Sequence, residues 1–222
     1  LCFSPEDRDM IFRGIKEKFG SNQELTERLK LRLILRPLGY AADISALLRR
    51  AKKERFRLEA LRDFVHGGGG RAAVIEGIAG EGKSTISAKI VEEEDIVDAY
   101  HFFKRTDIRR QDPLFIVHSL AYQLALRRPE DVRRTILGLS AERLKRSRGD
   151  AMEAATALLH EPIAEIPDGE HVVLLMDAMD EGAVNDAGRN AAGEVLEDLL
   201  QSLTLFAMDG PVSDSDEDEE EV

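Results

Sequence analysis

Over residues 6 to 65 the chain is dense in charge, and its apolar positions fall at helical intervals. Leu25, Leu29 and Leu33 stand four residues apart before Pro37-Leu38-Gly39 interrupts the pattern. Ile44, Leu47, Leu48, Ala51, Leu58 and Leu61 then resume it and predict a second helical stretch, which also carries the basic residues Arg49, Arg50, Lys52, Lys53, Arg55 and Arg57. Gly67 to Gly70 offers no side chain to pack and marks a boundary. Beyond it the period changes. Ala72-Ala73-Val74-Ile75-Glu76 is a short apolar run of the kind buried on both faces of a sheet, Ala99-Tyr100-His101-Phe102-Phe103 is a second strand rich in aromatics, and His171 to Met176 is a third. Helices are expected between them. One follows the glycine-rich turn after Glu76, and one starts at Asp112-Pro113 with Leu114, Ile116, Val117, Leu120, Ala121 and Leu124 on its apolar side. Two more are expected over 130 to 162, and a last one runs from about Ala191 to Phe206.

Strands that alternate with helices imply a parallel sheet with right-handed crossovers, so the fold class is α/β. The expected organisation is a charged helical segment over 1–65, an α/β domain over 66–208 and an acidic disordered tail over 209–222. A chain of 222 residues, 43% hydrophobic, is long enough to bury a sizeable core. The net charge of −12 is concentrated at the end, where Asp214 to Glu221 supplies seven acidic residues and leaves the body near −5. That balance argues against a nucleic-acid partner, which needs a basic face. One cysteine, Cys2, makes no intrachain disulfide, and no run of about 18 apolar residues is present. These features point to a cytoplasmic protein without a membrane span. The first residue is Leu1 rather than methionine, which suggests a fragment.

The sharpest chemical signal is Gly77-Ile78-Ala79-Gly80-Glu81-Gly82-Lys83-Ser84, followed by Thr85. It matches the phosphate-binding pattern G-x-x-x-x-G-K-[ST] at every defined position and sits between a predicted strand and a predicted helix. Glycines let backbone N–H groups converge on a phosphate, and the helix dipole reinforces them. Lys83 would reach the β- and γ-phosphate oxygens of ATP or GTP, and Ser84 would offer a hydroxyl to Mg²⁺. The third strand delivers Asp177 to the carboxyl edge of the sheet, where ligands of open parallel sheets bind and where its carboxylate can serve Mg²⁺. Asp180 and Glu181 follow, either able to orient and deprotonate an attacking water. The bland alternatives are a chance glycine turn and a solvated acidic turn after a core strand.

GIAGEGKST at Gly77 to Thr85, YHFFKRTDIRRQDP at Tyr100 to Pro113, LAYQLA at Leu120 to Ala125 and VVLLMDAMDE at Val172 to Glu181 together resemble the NACHT-type signal-transduction NTPases, nearest to the nephrocystin-like N-terminal NTPase domain. The resemblance spans roughly 66 to 185. It implies a P-loop NTPase three-layer sandwich, slow ATP or GTP turnover used as a conformational switch, and partner-binding segments on either side. In that family a small residue follows the Mg²⁺-binding aspartate and two acidic residues come soon after; here these are Ala178, Asp180 and Glu181. After Glu181 no Thr/Ser-Ser-Arg sensor strand or helical lid is recognisable, so the sheet is expected to be incomplete on that side. Binding is therefore better supported than hydrolysis.

Arg105, Arg109 and Arg110 follow the second strand and can be read as a γ-phosphate contact or as a solvated turn. His101 and His118 are expected in or beside the core. The leading function is a nucleotide- and Mg²⁺-binding signalling module whose N-terminal helices or flanking domains meet protein partners. A non-enzymatic interaction protein on a degenerate or truncated NTPase fold is the alternative, and a small-molecule kinase ranks last.

Overall fold

The computed structural model describes residues 5–35, 37–51, 81–93, 95–167, 170–182, 194, 195 and 197. The glycine run, the expected strand at 72–76, Gly77 to Gly80, most of the helix expected over 191–206 and the acidic tail lie outside them.

Three helices open the chain, and their boundaries follow local chemistry. Helix α1 (Pro5–Phe19) stops at Gly20, where an added Cβ would collide with the Lys16 carbonyl oxygen. Helix α2 (Gln23–Ile34) starts on Asn22, whose Oδ1 accepts from the Leu25 N–H at 2.9 Å and satisfies one donor of the first turn. The expected stripe of Leu25, Leu29 and Leu33 is not the buried one. Leu31, Ile34 and Leu35 are buried instead, while Leu25 is 39% exposed. The sequence of α2 offers two apolar stripes, and the second faces the tertiary partner. Helix α3 (Ala41–Ala51) begins after the interruption at 37–40.

Helix α4 (Lys83–Glu93) leads to strand β1 (Ala99–Phe102). Helix α5 (Pro113–Arg127) starts as the sequence predicts: Asp112 caps it by accepting from Leu114 N–H, and Pro113 occupies a first-turn position where no N–H is needed. Where two helices were expected over 130–162, there are three helical stretches. These are α6 (129–138), α7 (Ala141–Arg146) and α8 (151–164). The widened turn Thr156–His160 within α8 precedes Pro162, which has no N–H to donate; Glu161 N–H reaches back to the Thr156 carbonyl five residues away.

Strand β2 (Leu174–Asp177) pairs parallel with β1, Ala99 opposite Leu174 and Phe102 opposite Asp177. It starts three residues later than its apolar run because the Val173 N–H is taken by the Asp98 carboxylate at 2.9 Å. Alternation puts the two faces of β1 into different cores. Ala99 and Phe103 pack with Leu31, Ile116, Leu120, Leu124 and Leu158, whereas Tyr100 and Phe102 pack with Tyr40, Ile44 and Ala88. In β2, Leu174 and Met176 join the first group, while Leu175 and the preceding Val173 meet Ile90 and Val97 of the other face. The described residues are thus an α/β mix, mostly helical, with helices on both sides of a two-stranded parallel sheet. None of the described helices is long and apolar enough to cross a membrane.

Charged side chains tie the layers together. Arg133, buried in α6, reaches Glu24 at 2.5 Å and Glu27 at 3.2 Å on α2 and donates to the Ala125 carbonyl. Arg128 holds Asp98, Glu170 and the His171 carbonyl, which fixes the approach to β2.

Candidate functional site

The chain forms its candidate site where α4 begins and where β1 and β2 end. Gly82 has φ 89°, a left-handed conformation that an L side chain adopts only with strain, so the loop reaches α4 through a residue that must be small. Lys83 is the first residue of the helix, and Ile86 N–H closes the first turn by donating to Gly82 O at 2.9 Å. Glu81 is exposed; Lys83, Ser84 and Thr85 are half-buried in the opening turn. Gly77, Ile78, Ala79 and Gly80 lie outside the described residues.

Asp177 ends β2, 7% exposed, with its carbonyl accepting from Phe103 N–H at 3.0 Å. Its side chain meets α4: Ser87 Oγ–H donates to Asp177 Oδ1 at 2.8 Å, and the same hydroxyl lies 3.2 Å from the Lys83 carbonyl. Ser84 and Ser87 are three residues apart and share a helix face. The Ser87 hydroxyl thus ties the first turn of α4, at the Lys83 carbonyl, to the buried carboxylate at the end of β2. Sequence reading missed Ser87, because a serine inside a helix carries no signal of its own; its partner lies 90 residues away.

After Asp177 the backbone turns abruptly. Ala178 sits at φ 58° and ψ 46°, a left-handed conformation that costs a non-glycine residue about 1–2 kcal/mol, and Met179–Glu181 forms a single 3-10 turn. The turn is fixed from the loop after β1: Glu181 Oε2 accepts from the Arg105 N–H at 2.8 Å. Asp180 is exposed on the same turn. Strain of this kind persists only where surrounding structure holds it.

The arginines after β1 have different fates. Arg105 and Arg109 are exposed, but Arg110 is 7% exposed and is not a solvated turn residue. It donates to Gly39 O at 3.0 Å, pairs with Asp43 Oδ2 at 2.5 Å and lies over the Tyr40 ring at 5.0 Å. Lys104 also reaches Asp43, at 3.3 Å. Burial pushes the Asp43 carboxyl up, yet Arg110 and Lys104 outweigh it and hold the group below the usual carboxylate range.

His101 and His118 are both buried, as expected. His101 Nε2 lies 2.9 Å from the Arg110 carbonyl, which only accepts, so Nε2 carries the proton and Nδ1 accepts from Tyr40 O–H at 2.6 Å. Burial, with Arg110 nearby, pushes His101 down to about 4 and keeps it neutral. Burial raises the Tyr40 hydroxyl, which stays a donor. These contacts make α3 and the 37–40 link a fixed neighbour of the 104–110 loop. Among the described residues no group of three or more His, Cys, Asp or Glu could hold a metal ion alone.

A family model described as nephrocystin 3, N-terminal, matches residues 56–207. No curated protein and no solved structure matches the chain.

Proposed function

The chain belongs to the nephrocystin 3 N-terminal family, and from that premise we propose that it binds a purine nucleoside triphosphate with Mg²⁺, ATP in preference to GTP, as a cytoplasmic signal-transduction module. On this reading 66–208 is a P-loop NTPase three-layer domain and the loop 77–85 cradles the phosphates. The observation that carries the reading is the 2.8 Å bond from Ser87 to Asp177, which brings an acidic strand end against the helix that opens at Lys83.

The donors suit Mg²⁺: the buried Asp177 carboxylate at the end of β2 and the Ser84 hydroxyl, one helical turn before Ser87 on α4, are hard oxygen ligands. When bound, the ion would offset charge on the β- and γ-phosphates. Lys83 supplies a second positive charge from the helix N-terminus, where the dipole favours an anion. The left-handed Gly82 lets the backbone approach the phosphates closely. For hydrolysis, Glu181 already commits one oxygen to Arg105 N–H, so Asp180 is the base that would orient and deprotonate water, with Glu181 holding the turn.

The switch follows from the same loop. Glu181 grips Arg105, and the neighbouring Lys104 and Arg110 grip Asp43 of α3, so a change at the acidic turn has a short route to the N-terminal helices and their protein partners. The alternative, a non-enzymatic interaction protein on a degenerate NTPase fold, draws on the same bond from Glu181, since a committed acid favours binding without turnover. Thermal unfolding with and without nucleotide tests the proposal. Saturating MgATP should raise the midpoint of the wild type, by mass action, and leave Lys83→Ala unmoved. Equal midpoints with and without nucleotide in the wild type would leave the interaction protein as the better reading.

A further inference from the structure

Ser87 belongs to no phosphate-loop pattern, yet it is buried at 7% exposure on the side of α4 that faces β2, and its hydroxyl is within 2.8 Å of Asp177 Oδ1. We propose that Ser87 is a positioning residue: it fixes the Asp177 carboxylate so that the remaining oxygen is presented to the divalent cation of the nucleotide. The inference rests on the nucleotide reading above and adds to it the residue that sets cation affinity.

Three features support it. Asp177 has little freedom in its backbone, since its carbonyl is in the β1–β2 ladder and Ala178 turns immediately into the left-handed region. The carboxylate torsion is then what remains to be fixed, and a donor on Oδ1 fixes it. Ser87 is itself anchored, being one helical turn from Lys83 with Oγ 3.2 Å from the Lys83 carbonyl, so the serine has two acceptors for a single hydrogen. The charged acceptor at the shorter distance takes it, because a bond to a carboxylate is the stronger one. Finally, Ser84 occupies the same helix face one turn earlier, so an oriented Asp177 oxygen and the Ser84 hydroxyl would serve one ion between them. Residues that orient a ligating carboxylate typically set about 10–100-fold of metal affinity.

A serine that merely satisfies a buried carboxylate would affect stability and nothing else, so the test reads the cation. Binding of a fluorescent ATP analogue to the full chain is titrated at fixed nucleotide with increasing Mg²⁺, and separately in EDTA. Ser87→Ala should raise the Mg²⁺ midpoint about tenfold and leave the affinity in EDTA within twofold of wild type. Ser87→Thr, which keeps the hydroxyl, should restore the midpoint. Ser87→Cys, close in size with a weaker donor, should shift it in the same direction as alanine and carries the test if Ser87→Ala does not fold. An unchanged midpoint in the folded Ala or Cys variant overturns the positioning role while leaving nucleotide binding intact. A wild type that binds no nucleotide overturns both.

Discussion

Replacing His101 with glutamine should flatten the dependence of stability on pH between 7 and 5. In the folded chain His101 sits at about 4, against 6.5 for an ordinary histidine, because burial disfavours its charged form and Arg110 adds a repulsive neighbour. A protonated ring would also lose the Tyr40 O–H donor at Nδ1 and would face the Arg110 guanidinium. The unfolded chain therefore takes up the proton first. Stability from this group is fully present above pH 6.5, is lost as pH falls from there towards 4, and changes no further below 4. At 1.36 kcal/mol per unit, the whole loss is about 3 kcal/mol, and about 2 kcal/mol of it falls between pH 7 and 5. The paired carboxylates of Asp43, Asp107 and Glu24 are held low and lose their contribution only at more acid pH, equally in both proteins. Urea unfolding at half-unit pH steps gives the comparison. The wild type should lose about 2 kcal/mol more than His101→Gln across that window. Parallel curves for the two proteins would refute the buried neutral imidazole.

Three further outcomes are expected. Tyr40→Phe removes the donor to His101 and should cost about 1–3 kcal/mol of stability in denaturant unfolding, without changing ATP-analogue affinity. Gly82→Ala forces a side chain into a left-handed position, so about 1–2 kcal/mol of stability and most of the nucleotide affinity should go, measured by thermal melts and analogue titration. Amide hydrogen exchange in α3 should slow on addition of MgATP, because Asp43 is gripped by the loop that Glu181 holds; unchanged protection there would remove the switch while leaving binding untouched.

Much of the architecture was legible because it is encoded locally. Asp112-Pro113 announces the start of α5 by its own capping chemistry, and the aromatic run in Ala99 to Phe103 foretells a strand. What could not be read depends on partners distant in the chain. Which apolar stripe of α2 turns inward is decided by the core that Leu31, Ile34 and Leu35 meet. Arg110 looks like any turn arginine until Asp43 and Tyr40, some 70 residues earlier, close around it. In the candidate site, the role of Asp177 was proposed from its place at a strand end, whereas Ser87 and the left-handed Ala178 left no trace in composition or spacing. Expectations on Gly77 to Gly80 and the strand before them lie outside the described residues.

Equilibrium titration of a fluorescent ATP analogue in Mg²⁺, with the wild type beside Lys83→Ala and Asp177→Ala, tests nucleotide binding most directly. The account predicts saturable binding in the wild type, its loss in Lys83→Ala and loss of its Mg²⁺ dependence in Asp177→Ala. A folded wild type with no saturable signal, or one that Lys83→Ala reproduces, would contradict it.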